Sequence, residues 1–128
     1  MKKWFNKGII CMKDVLPSKL KQNQYIYAKE KICYAIYCLA TGEDEIRTRL
    51  FYATIRLHVL NREECLPHDL REYWFDIWGR LTRFGIKYSG SGKEMMGPIE
   101  HTMKRIRKKT AREIAEDLYD LKSELEEY

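Results

Sequence analysis

Apolar positions recur every three or four residues in four stretches of the chain, and this spacing predicts helices. The first stretch follows Pro17-Ser18, where Ser18 suits an N-cap, and runs to about Ala40. Tyr25, Ile26, Ala28, Ile32, Cys33, Ile36, Tyr37, Leu39 and Ala40 share one broad arc of it. An arc that wide implies a helix packed on more than one neighbour. Thr41-Gly42 ends it.

The acids Glu43, Asp44 and Glu45 open a second helix, predicted to reach Leu60. Ile46, Leu50, Ala53, Leu57 and Leu60 form its core stripe, and Phe51, Tyr52, Ile55 and Val59 form another on the opposite side. A helix apolar on two sides either lies at the centre of a fold or offers a face to a partner. Pro67 begins a third helix, with Leu70, Trp74, Ile77 and Leu81 on its inner face and Asp76 four residues before Arg80 on its wet side. Phe75 is the apolar outlier there.

Residues 85–97 hold Gly85, Gly90, Gly92 and Gly97 with two serines, and they predict a long loop. From Pro98 to Tyr128 the pattern is helical again. A single helix would put cations in its positive half and acids at its negative end. Splitting it near Thr110 removes both conflicts. A short helix then ends in cations, and Thr110 with Glu113 makes a capping box for the last helix, whose stripe is Ile114, Leu118, Leu121 and Leu125. Residues 1–17 read as an irregular, Lys-rich segment in which Trp4, Phe5, Ile9 and Ile10 want burial. The expected fold is all-α: a single domain over residues 1–128, a small bundle of four main helices plus a short helix before the last. Its core is expected to be built from Ile32, Ile36, Leu39, Leu50, Leu57, Leu70, Trp74, Ile77, Leu81, Leu118 and Leu121.

Composition supports a folded chain: 128 residues, 45% hydrophobic and 34% charged. No apolar run approaches the ~20 residues of a membrane span. The run Ile9-Ile10-Cys11-Met12 is too short for a secretory h-region, so a cytoplasmic protein is expected. Its four cysteines (Cys11, Cys33, Cys38 and Cys65) are then thiols. Cys65 and His68 make half a zinc site at most, and His58 and His101 add no ligand at metal spacing, so no metal is expected.

Charge is segregated. Residues 1–31 carry eight lysines against two acids, and residues 83–112 carry nine basic groups against two acids. Residues 113–128 carry seven acids against one lysine. Within the second block, Lys104, Arg105, Arg107, Lys108, Lys109 and Arg112 fall inside nine residues. Dense cations of this kind are what phosphate recognition requires. The plainer account is a helix terminus whose cations complement the dipole and balance the acidic tail. Glu113, Asp117, Asp120, Glu124 and Glu127 line one side of the last helix, where like charges repel and call for a basic counterpart.

Gly90-Ser91-Gly92-Lys93 resembles a phosphate-binding loop only superficially: Lys87 stands where the Walker pattern needs glycine, and Glu94 where it needs a hydroxyl. No nucleophile, base and orienter are brought together by spacing. No enzyme, cofactor or small-molecule ligand is therefore expected. The leading expectation is a non-catalytic helical protein-interaction module, a regulator or adaptor. It would use Phe51, Tyr52, Ile55 and Val59 against a protein partner or an identical chain, with a homodimer favoured. The alternative is a nucleic-acid-associated regulator that uses the basic cluster 104–112.

Overall fold

The computed structural model describes residues 24–128, which form one helical bundle with a small hairpin. The Lys-rich segment 1–17, with Trp4, Phe5, Ile9 and Ile10, lies outside the described residues, as does Cys11. The fold is all-α, as the spacing predicts. Among the described residues five α-helices run in the order α1 (Ile26–Thr41), α2 (Ile46–Thr54), α3 (His68–Leu81), α4 (Pro98–Met103) and α5 (Lys108–Leu125). Every residue expected in the core is buried.

Helix α5 sits at the centre and packs against α1, α2 and α3. Ala111, Ile114, Leu118, Leu121 and Leu125 make its buried stripe. Its outer side keeps the acids, and Arg80 of α3 reaches across to Asp117 at 2.6 Å while also pairing with Asp76 at 2.9 Å. The acidic side is thus partly neutralised from within the bundle. Phe75 is exposed on the outer side of α3, as its position on the wheel predicts.

The first connection is closed by an arginine. Arg49 donates from its guanidinium to the Leu39 carbonyl at 2.6 Å and to the Asp44 carbonyl at 2.8 Å. It therefore satisfies one of the orphan carbonyls at the end of α1. Gly42 is required here for space. Its φ of −68° is ordinary, but a Cβ would lie 2.7 Å from Arg49 Cγ and 3.0 Å from the Cys38 carbonyl oxygen.

Helix α2 is shorter than its apolar pattern suggests. It ends at Thr54, whose hydroxyl donates to the Leu50 carbonyl at 2.7 Å, and the chain continues as 3-10 turns over Leu57–Asn61 and Glu63–Cys65. Leu57 and Leu60 remain buried because a spacing of three puts them on one side of a three-residue turn as well. Asn61 then accepts the indole N–H of buried Trp74 at 2.8 Å, which fixes the turn against α3.

The opposite stripe is broken by this early ending. Phe51 and Val59 are half-buried and pack on the core, whereas Tyr52 and Ile55 are exposed, at 59% and 45%. The four residues therefore form no single face. Tyr37, expected on the apolar arc of α1, is exposed and stacks on Tyr34 with ring centroids 6.3 Å apart.

The loop at 85–97 carries a two-stranded antiparallel hairpin, β1 (Lys87–Tyr88) and β2 (Glu94–Met96). Lys87 pairs with Met96 and Tyr88 with Glu94 across an irregular register. Gly92 turns the hairpin with φ +84°, a conformation that favours glycine.

Candidate functional site

The basic cluster lies where α4 hands over to α5. Ile99 and Met103 of α4, and Ile106 after it, are buried, so the turn between the two helices is pinned from below. Arg47 holds the same turn from α2: its guanidinium donates to the Ile106 carbonyl at 3.2 Å. That arginine is oriented by Glu45, whose carboxylate accepts from Arg47 Nε at 3.0 and 3.1 Å and also caps α2 by accepting the Arg47 backbone N–H at 2.7 Å. These hydrogen bonds hold the Glu45 carboxyl down to about 2, from an ordinary 4.5, and Lys108 adds a smaller pull in the same direction.

With the turn fixed, Lys104, Arg105, Arg107, Lys108, Lys109 and Arg112 all stand exposed. None of the six is ion-paired with a carboxylate among the described residues.

The last helix does not begin at Thr110. It begins at Lys108, with Arg107 at the N-cap position and no side-chain cap. Thr110 lies inside the first turn, so the Thr110–Glu113 capping box does not form. Burial decides this start. Ala111 is wholly buried, and its N–H bonds back to the Arg107 carbonyl at 3.1 Å, which requires the first turn to include Lys108. Consequently Lys108 and Lys109 occupy the first two helical positions, at the positive end of the macrodipole. The account in which the cations complement a helix end therefore holds for Lys104 and Arg105, which follow the C-terminus of α4, and fails for Lys108 and Lys109, which oppose the dipole of α5.

Geometry adds a residue that spacing does not reveal. Phe84, in the turn after α3, lies under two guanidinium groups: that of Arg105, 4.7 Å from the ring centroid, and that of Arg83, 5.2 Å from it. The ring of His101 lies 6.1 Å away, centroid to centroid. Arg83 is twenty-two residues before Arg105 in the chain, so only the packing of the turn brings it into the cluster. The result is a positive surface built from two segments around an aromatic ring.

Two clefts open beside these elements. One, of about 430 Å³, is lined by Glu45, Arg47, Thr48, Phe51, Tyr52, Glu100, Met103 and Lys104 and adjoins the basic turn. The other, of about 540 Å³, lies between α1 and the end of α2. Tyr34, Cys38, Tyr52, Ile55 and Leu57 line it with Glu30, Lys31 and Arg56. Among the described residues no three His, Cys, Asp or Glu side chains gather as a metal site. Burial, with the Glu64 carboxylate, pushes the Cys65 thiol up, so it stays protonated at neutral pH. Among the described residues no helix is long and apolar enough to cross a membrane. No protein family, no curated protein and no solved structure matches this chain.

Proposed function

We propose that this protein is a non-catalytic nucleic-acid-binding regulator of the cytoplasm, and that the surface around the α4–α5 turn is its phosphate-binding face. One observation carries the reading: six exposed cations without carboxylate partners among the described residues gather around a turn, and two of them begin a helix whose dipole they oppose. Such an arrangement costs stability, about 0.3–1 kcal/mol for each charge near the helix start. A polyanion reverses that cost by supplying negative charge where both the cations and the helix end attract it. Arg83 and Arg105 add fork-shaped donors suited to phosphate oxygens.

The test is fluorescence anisotropy with a labelled oligonucleotide over a series of salt concentrations. Binding should weaken linearly on a log–log plot, and Lys104→Ala with Arg105→Ala should reduce the slope by about 0.7–0.9 per lost contact. Absence of binding at low salt, or binding indifferent to salt, overturns the reading.

A second reading, a protein-interaction module with a homodimer as its simplest form, is favoured by the cleft between α1 and α2. Tyr34, Tyr52 and Ile55 leave large apolar surface in water there. Ile55 is 45% exposed, so Ile55→Asp should stay folded. Under this reading light scattering should find the wild type dimeric and the variant monomeric; a monomeric wild type removes the homodimer.

A further inference from the structure

We infer that the β1–β2 hairpin is a second arm of the phosphate-binding face, that Tyr88 on it stacks on an unpaired base, and that the ligand is a single strand. This inference rests on the nucleic-acid reading above and narrows it.

The hairpin leaves the body beside the basic turn. Its base is tied to α4 by two contacts. The Phe84 N–H donates to the Thr102 hydroxyl at 3.2 Å, and the Gly85 carbonyl lies 3.0 Å from His101 Nδ1. Arg105 covers the Phe84 ring at that same junction. Any strand held at Arg83 and Arg105 therefore passes the foot of the hairpin.

The hairpin itself is chemically out of place: it carries large apolar side chains that the described residues leave exposed. Tyr88 and Met95 are each 58% exposed and Ile86 is 39% exposed. Lys87 of β1 and Lys93, just before β2, are exposed as well. An exposed aromatic ring on an element that also carries cations is a pattern that holds bases by stacking while their phosphates are neutralised. Glu94, opposite Tyr88 in the ladder, works against a phosphate beside the ring. It leaves a neutral base as the fitting occupant, with the phosphates displaced towards Lys87, Lys93 and the arginines. A duplex hides its base faces in its own stack, and a single strand presents them. Ring and cations together therefore select the single strand.

The experiment compares a fluorescein-labelled single strand of about 12 nucleotides with its duplex, using the full-length protein and its Tyr88→Ala, Tyr88→Trp and Lys104→Glu variants. The wild type should prefer the single strand. Tyr88→Ala should weaken single-strand binding at least about fivefold and leave duplex binding unchanged, and Tyr88→Trp should preserve it. Tyr88 is exposed, so an unchanged melting curve should accompany both variants. If Lys104→Glu weakens binding while Tyr88→Ala does not, or if the duplex is preferred, the inference is overturned and the nucleic-acid reading stands. If the wild type binds neither probe, both fall.

Discussion

Replacing Lys109 by glutamate should make the protein more stable and a poorer binder at once. Lys109 is the second residue of α5 and is exposed, with no carboxylate partner among the described residues. Removing its positive charge from the helix start gains about 0.3–1 kcal/mol, and adding a negative one gains a similar amount. Against this, the new carboxylate would lie one turn before Glu113 and repel it by roughly 0.2–0.5 kcal/mol. The net expectation for Lys109→Glu is about 0.5–1.5 kcal/mol of added stability, a rise of roughly 2–6 °C in melting temperature for a domain of this size. The gain should be read by thermal unfolding in dilute buffer and again in ~1 M salt, where screening within about 3 Å should remove most of it. Lys104→Glu is the control. It lies before α5, in the turn, so it should weaken oligonucleotide binding without the stability gain. A Lys109→Glu protein that melts lower than wild type, or whose gain is the same in high salt, refutes the electrostatic argument on which the candidate site rests.

Two further outcomes follow from the packing. Leu57 is 1% exposed inside a 3-10 turn, and Leu57→Ala should cost about 2–5 kcal/mol by denaturant unfolding, towards the lower end if the turn closes over the void. The Glu45 carboxyl is held at about 2 in the folded protein, below its ordinary 4.5, so its contribution is present above 4.5 and is lost as pH falls from there towards about 2. Glu45→Gln should therefore flatten the dependence of the denaturation midpoint on pH within that window; an unchanged profile removes the Glu45–Arg47 fork as an acid-sensitive brace.

The reach of the sequence is clearest at helices α2, α3 and α5. Helix α3 was legible from end to end because Leu70, Trp74, Ile77 and Leu81 repeat at a spacing that only an α-helix satisfies, and all four are buried. The end of α2 was not, since Leu57 and Leu60 are three residues apart and suit an α-helix and a 3-10 turn equally. At α5 the local signals, a hydroxyl three residues before a glutamate and a dipole that prefers acids first, both pointed to Thr110. Burial of Ile106 and Ala111 outweighs them, and the two lysines are carried into the first turn as a consequence. The six cations were visible as a cluster in the chain. Their relation to Phe84 and Arg83 depends on the Phe84–Thr102 hydrogen bond, a tertiary contact with no local signature.

Helix α5 also carries its own charges in a fixed order along its axis. Its eighteen residues span about 27 Å, with Lys108, Lys109 and Arg112 in its first turns, Asp117, Asp120 and Glu124 further along, and Glu126 just past its end, paired with Lys122. In the field of a polyanion this separation exerts a torque that swings the lysine-bearing end forward and holds the glutamate end back. Under the nucleic-acid reading proposed above, collisions would then be pre-aligned before any contact forms, and a larger share of encounters would arrive with the α4–α5 turn facing the strand. The expected advantage is kinetic: under that reading it would raise the association rate, leave the dissociation rate to short-range contacts, and fade as added salt shortens the reach of the field to less than the length of the helix.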